Sequence, residues 1–266
     1  MKLKLRDKYV LVTGASKGIG KAIALGMARE GAHVAVNYNS DKAGADEVVE
    51  EIAAMGRQSF AVRADIADVG QIKEMFGVIA DKFGRLDVLI NNAGITGWTD
   101  LFEVTEEKWD TVINTNLRGT FFCSLEAAKM MKEAAGGSII NISTICAELG
   151  VKNLVAYASS KGGIHAMTKQ MAVELAPFNI RINTFGPGAT NVDRNLQDDP
   201  SYKTTWGAMV PLGRTAEPED MVGPTVFLAS DDSAYMTGQL FFVDGGWTVR
   251  GKIPESNMDA ALDKHR

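Results

Sequence analysis

Seven short apolar runs alternate along this chain with longer amphipathic stretches, and that alternation restricts the fold more than any other feature. The runs are residues 9–13, 33–37, 59–62, 88–90, 138–142, 180–184 and 240–243. Most are apolar on both faces, as strands covered by helices on two sides must be. Between them Ile19, Ile23 and Met27 recur at i, i+4, i+8, and Val48, Ile52 and Met55 mark a second helix face. The pattern predicts an α/β fold, a doubly wound parallel sheet of seven strands with helices on both faces. No repeat or composition break interrupts the 266 residues. We read one domain over 1–248 and a polar extension over 249–266.

Composition narrows the function. Hydrophobic residues make up 45% and charged residues 23%, ordinary globular values, and the net charge of −5 gives no reason to expect nucleic acid. Two cysteines, Cys123 and Cys146, fit a reducing compartment and exclude a disulfide scaffold. The charged start Met1-Lys2-Leu3-Lys4-Leu5-Arg6 is no signal peptide, and no run of 18 apolar residues predicts a membrane span. A cytoplasmic protein is expected. His33, His165 and His265 are scattered without metal-ligand spacing, so no metal is expected. His165 reads as a packed or interface residue.

The first run is followed by Thr13-Gly14-Ala15-Ser16-Lys17-Gly18-Ile19-Gly20, opening the first helix. Glycines there allow a tight turn and close approach of backbone to phosphate, and a helix N-terminus offers free N–H groups to an anion. The spacing is Gly-x-x-x-Gly-x-Gly. After the second run a carboxylate would bind an adenosine ribose and repel a 2′-phosphate. Here Asn37-Tyr38-Asn39-Ser40 precedes the first acid, Asp41, and Lys17 lies in the glycine turn. Both favour NADP over NAD, with either possible.

Tyr157-Ala158-Ser159-Ser160-Lys161 can supply proton transfer. A free phenol, with a pKa near 10, exchanges protons poorly at neutral pH. A lysine one helical turn away shares its face, and its ammonium stabilises the phenolate. Tyr157 is then a general acid for reduction and a base for oxidation.

Together with 91–94 (Asn-Asn-Ala-Gly), Asn116, Pro187-Gly188 and Asp244-Gly245-Gly246, these motifs occur in the order and spacing of the short-chain dehydrogenase/reductase family, which the chain resembles over about residues 5–248. The resemblance implies a Rossmann-type domain and a role for each matched position. Tyr157 exchanges the proton, and Lys161 tunes it and holds the nicotinamide ribose. Asn116 anchors a water in a proton relay. Asp65 and Ile66 meet the adenine, Asn92, Ala93 and Gly94 follow the cofactor ribose, and Pro187 and Gly188 flank the nicotinamide. The family's substrate-steadying serine, 13 residues before the tyrosine, is replaced by Thr144, with Ser143 as the alternative. The carboxamide-binding residues after Pro-Gly are also replaced, leaving Thr190 or Asn191 for that task.

The candidate substrate residues are Trp98, Thr144, Glu148, Asn191 and Arg194, a polar set with one aromatic wall. The stretch 190–211 reads as a loop or short-helix lid. Such a lining suits a sugar, sugar acid or polyol. Arg194, Lys203, Arg250 and Lys252 could also select an acidic group. Glu148 resembles a residue near the sugar in bacterial glucose dehydrogenases. The alternative is a 3-oxoacyl-acyl-carrier-protein reductase. Those enzymes present two docking arginines, at positions occupied here by Ala135 and Phe178. A third reading, from a different class, is a nucleotide-binding protein without catalysis. The tyrosine helix carries more apolar residues (Ala158, Ala166, Met167, Met171, Ala172) than one core face needs. A homotetramer or dimer is expected, with Phe241, Phe242 and Trp247 at a second interface and the extension packed on a neighbouring subunit.

Overall fold

The computed structural model describes residues 3–251. The extension assigned to a subunit contact lies almost wholly outside the described residues. Seven parallel strands form one sheet in the order β3-β2-β1-β4-β5-β6-β7. They are β1 (Tyr9–Val12), β2 (His33–Tyr38), β3 (Ser59–Arg63), β4 (Val88–Asn91), β5 (Gly137–Ile142), β6 (Ile180–Pro187) and β7 (Leu240–Val243).

All seven expected strands form, with ends shifted by a few residues. The largest shift is in β6, which runs to Pro187 because β7 pairs with it from Thr184↔Leu240 to Pro187↔Val243. Proline lacks an N–H and is tolerated where a strand ends.

Two apolar layers sandwich the sheet. On one face α1 (Gly18–Arg29), α2 (Lys42–Ala54) and α9 (Val222–Ala229) bury Ile23, Met27, Val48, Ile52 and Val226 against Val10, Val12, Ile140 and Ile142. On the other, α3 (Val69–Phe83), α5 (Gly119–Glu133) and α6 (Val155–Leu175) bury Ile72, Met75, Ile79, Ala127, Met131 and Ala172 against Leu11, Leu89, Ile139 and Ile182. A strand buried on both sides needs apolar residues at consecutive positions, which is why the runs do not alternate.

Local signals set the helix ends. The Asp68 side chain accepts from Gly70 N and Gln71 N, and Gly84 ends α3 with φ +71°. Asp41 and, for α4 (Glu106–Ile113), Thr105 cap in the same way. No side chain caps α1. The stretch 190–211 folds as two short helices, α7 (Asp193–Asp198) and α8 (Tyr202–Gly207). No described helix is long and apolar enough to cross a membrane.

Candidate active site

β1 pairs with β2 on one side and β4 on the other, so chain direction across the sheet reverses beside it. Such a reversal opens a crevice at the carboxyl ends of the strands. Thr13 and Asn92 knit that crevice. The Thr13 hydroxyl accepts from Asn92 N at 3.0 Å and Ala93 N at 3.1 Å, and the Asn92 amide donates to the Thr13 and Gly14 carbonyls at 3.0 Å. Asn37 braces the glycine turn from β2, accepting from Gly14 N at 3.1 Å. Gly14 has φ +61°, and a Cβ on it would stand 2.9 Å from Ala93 Cα. A Cβ on Gly20 would overlap the Gly14 carbonyl and the Asn92 amide. Backbone here is packed as closely as backbone can be, beside a helix start that no side chain caps.

A cleft of about 830 Å³ opens from this turn. Every candidate cofactor residue lines it: Gly14, Ser16, Lys17, Gly18, Ile19, Gly20, Asn39, Ser40, Asp65, Ile66, Asn92, Ala93, Gly94, Pro187, Gly188 and Thr190, with Tyr157 and Lys161. These residues fit a dinucleotide, with a glycine cradle at one end and a hydroxyl-bearing floor at the other. Lys17 is exposed and lines the cleft together with Asn39 and Ser40, and none of the ion pairs among the described residues uses it.

The floor of the cleft is α6. Lys161 is 4% exposed, and its Nζ donates to the Ile142 carbonyl at 2.8 Å. It stands 6.0 Å from the Tyr157 ring centroid. Burial pushes the Lys161 ammonium down to about 8. Burial, with Cys146 next, pushes the Tyr157 phenol up to about 12, against the hydrogen bonding of Thr144 and the charge of Arg194, which pull it down. The expected lowering of Tyr157 by Lys161 is therefore not what this geometry gives. One of the three ammonium donors goes to a backbone carbonyl, and desolvation of the phenolate is the largest effect on the phenol.

Thr144 lines the cleft with Tyr157 and is the hydroxyl that pulls the phenol down, and its Oγ1 also accepts from Cys146 N at 3.2 Å. Ser143 turns the other way, its Oγ 2.6 Å from His165 Nε2. Asn116 sits fully buried in a π-helical turn, Asn114–Arg118, between α4 and α5. Its amide donates to Ile95 O at 2.8 Å and Ser160 Oγ at 3.1 Å, and its Oδ1 accepts from Ile95 N at 2.9 Å. A Cβ on Gly94 would stand 3.1 Å from that Oδ1 and 3.5 Å from Lys161 Nζ, so both atoms border the same small space.

Of the five substrate candidates, Trp98, Thr144 and Arg194 line the cleft. Two do not. Asn191 is buried, donating to Glu217 Oε1 at 2.8 Å and accepting from the Thr215 hydroxyl at 2.9 Å. Its amide is committed to holding the lid, which leaves Thr190 alone of the two carboxamide candidates. Glu148 places Oε1 3.3 Å from His165 Nδ1, outside the cleft lining.

Sequence reasoning underrated the apolar lining. Tyr202, Trp206 and Trp247 form a second aromatic wall, with Tyr202 stacked on Trp206 at 5.0 Å and Trp206 edge-on to Trp247 at 5.7 Å. Val151 and Leu154 also line the cleft. Trp247, assigned from sequence to an interface, was hidden because it comes from beyond β7. No group of three or more metal-binding side chains occurs among the described residues.

Such a cleft, a glycine cradle at one end and Tyr157 with Lys161 at the other, is suited to hydride exchange between a dinucleotide and a carbonyl or alcohol. Comparison with known proteins agrees. Residues 14–248 match the family model described as enoyl-(acyl carrier protein) reductase. The chain belongs to the short-chain dehydrogenase/reductase family of NAD(P)-dependent oxidoreductases. It is 42% identical over 239 residues to a 3-oxoacyl-(acyl-carrier-protein) reductase from Staphylococcus aureus, covering 90% of this chain and 97% of that one. Among solved structures it is similar to a candidate gluconate dehydrogenase from Agrobacterium tumefaciens, with TM-score 0.89 and 35% identity over 94% of this chain and 100% of that one. It is also similar to a candidate NAD(P)-dependent gluconate 5-dehydrogenase from Beutenbergia cavernae with bound NADP, with TM-score 0.88 and 37% identity over 94% and 100%.

Proposed function

We propose that the protein interconverts a secondary alcohol and a ketone on a small polyhydroxylated substrate, a sugar, sugar acid or polyol, with NADP preferred. The observation that carries this reading is the cleft beside Tyr157. Trp98 and the aromatic group of Tyr202, Trp206 and Trp247 both line it, and Arg194, Asn195 and Gln197 supply polar groups. Flat faces take the C–H side of a sugar, and the polar groups take its hydroxyls or a carboxylate. The likeness to gluconate dehydrogenases supports the acidic member of that class, since Arg194 has no carboxylate partner among the described ion pairs.

A bound nicotinamide supplies the two-electron chemistry, and the remaining tasks fall to side chains of this chain. Thr144 and Tyr157 hold the substrate oxygen between two hydroxyls. In oxidation Tyr157 takes the alcohol proton, and in reduction it donates one. Lys161 provides the compensating positive charge. Asn116 Oδ1 and Lys161 Nζ border a space suited to one bridging water, through which a proton can leave.

The 42% identity supports a second reading, 3-oxoacyl thioester reduction. Against carrier docking stand the positions of the two arginines. Neither is an arginine: Ala135 and the exposed Phe178 stand there. One panel separates the two readings. NAD⁺ and NADP⁺ reduction is followed with aldoses, gluconate, other sugar acids and polyols, and NADPH oxidation with acetoacetyl-CoA. Turnover of a polyhydroxylated compound is the expected result. Silence there, with turnover of the thioester, replaces this reading by the second.

For the cofactor, Lys17→Ala should raise the KM for NADP⁺ roughly tenfold or more and leave that for NAD⁺ nearly unchanged, since only the former loses a charge-assisted contact. Equal effects on both would remove Lys17 as the selector.

We further propose that the chain assembles as a homotetramer through the exposed apolar positions on and around α4, α5 and α6. Phe102 is 94% exposed and Val173 73%, and Trp109, Phe121 and Phe178 join them. Light scattering should give the mass of four chains. A monomer would end this proposal.

A further inference from the structure

One buried array touches the catalytic loop from behind and takes no part in the reaction as described. His165 stands one helical turn beyond Lys161 on α6 and is 7% exposed. Its Nε2 lies 2.6 Å from Ser143 Oγ, and its Nδ1 lies 3.3 Å from Glu148 Oε1. An ionised carboxylate only accepts, so Nδ1 carries the proton and Nε2 accepts from the Ser143 hydroxyl.

The two partners bracket one short loop. Ser143 comes immediately before Thr144, and Glu148 immediately after the 3-10 turn Ile145–Ala147. A single imidazole therefore holds both ends of the segment that carries Thr144 and Cys146 into the cleft. Ser143 N still donates to the Phe185 carbonyl at 2.8 Å, continuing the ladder between β5 and β6. Thr144 is extended, with φ −166° and ψ 156°. Side chains of successive extended residues leave opposite faces. Asn141 and Ser143 face α6, through Thr168 at 2.9 Å and His165. Thr144 leaves towards the cleft. A slip of one residue would exchange the two hydroxyls, turning Ser143 to the cleft and setting the bulkier, β-branched Thr144 against His165 and away from Glu148's end of the loop.

We propose that His165 is a positioning residue: by gripping Ser143 and Glu148 it fixes the register in which Thr144, and not Ser143, presents its hydroxyl to Tyr157. This rests on the reading of Thr144 as the hydroxyl partner of Tyr157. It also gives Glu148 a task other than the substrate contact expected from sequence. His165 and Glu148 act through Thr144 and need no contact with substrate.

The test is a double-mutant cycle on kcat. It uses gluconate with NADP⁺ or, where that pair gives the faster parent rate, acetoacetyl-CoA with NADPH. Thr144→Val should lower kcat at least about tenfold, having lost a hydroxyl that steadies the transition state. His165→Leu should lower kcat by about tenfold to a hundredfold through misplacement of Thr144, with the KM for the cofactor within about twofold of the parent. In the Thr144→Val background, His165→Leu should cost nothing further, because the group it positions is gone. His165→Gln, whose amide can reach Ser143 where Nε2 stood, should recover most of the loss.

Should His165→Leu fail to fold, Glu148→Ala carries the same test. That side chain is about half exposed, and its loss frees Nδ1 without opening the core. A several-fold fall in kcat that vanishes in the Thr144→Val background is expected, in line with the cost of a small misplacement. Independent effects in the cycle, or an unchanged kcat in a folded His165→Leu, overturn the proposal. No loss from Thr144→Val alone overturns it too, by removing the role of Thr144, and leaves the Tyr157 chemistry standing.

Discussion

Tyr157→Phe should lower kcat by about 10³-fold or more while cofactor binding and fold persist, since a positioned acid or base is worth roughly 10²–10⁴. Tyr157 is partly buried and lines the cleft. Phenylalanine keeps the ring and its packing and deletes one oxygen, so the loss reports chemistry rather than structure. The direction of the pH dependence follows from burial. The phenol is pushed up to about 12. Alcohol oxidation needs the phenolate and should therefore speed up as pH rises, until Lys161 begins to lose its charge at about pH 8. Ketone reduction needs the phenol and should not gain. Cofactor titration by nicotinamide fluorescence alongside steady-state kinetics measures both parts. A variant retaining a tenth of parent turnover would remove Tyr157 as the proton donor and acceptor.

Lys161→Met should move activity and stability in opposite directions. Turnover should fall by about 10²-fold or more, because the phenolate loses its compensating charge. The cofactor-free protein should become more stable by about 1 kcal/mol or more, because a buried ammonium with one carbonyl partner is replaced by an apolar chain of similar length. Lys161 is 4% exposed, and none of the ion pairs among the described residues involves it.

The pH dependence supplies an independent check. The folded-state pKa is about 8, below the unfolded value, so between about pH 8 and 10.4 the unfolded chain holds more protons than the folded one. In that window the parent gains stability as pH rises. Below about 8 both states are protonated, and the full burial penalty applies. The variant lacks the group, so the parent-minus-variant difference in Tm should shrink from pH 8 to pH 10. A constant difference would mean that Lys161 is not held as a buried, depressed ammonium.

These two outcomes also show where the sequence could be read and where it could not. Tyr157 and Lys161 are four residues apart on one helix, so local geometry alone puts them on a common face. Their electrostatics were misjudged from sequence. Pairing was expected to lower the phenol, but burial among segments remote in the chain pushes it up. Asn191 and Glu148 were misplaced for the same reason. Each is a polar residue beside the cleft in sequence, and each is claimed by a distant group, Glu217 and Thr215 for one and His165 for the other. Tyr202 and Trp247 were missed as cleft residues because an aromatic residue carries no sign of which surface it will face.

By itself the sequence determined the architecture and the chemistry. Apolar runs without alternation, three to five residues long and bounded by turn residues, suit strands covered on both faces, and seven of them separated by helices leave little but a parallel, doubly wound sheet. The glycine turn and the Tyr-x-x-x-Lys helix are short-range devices, legible because spacing within one turn fixes their geometry. Only the tertiary structure decided which hydroxyl faces the phenol, how desolvation sets the two pKa values and what walls the substrate meets. Those are questions of register, burial and approach between segments remote in the chain. A one-residue shift between Ser143 and Thr144 changes nothing in composition or periodicity, yet it exchanges the two faces of an extended strand.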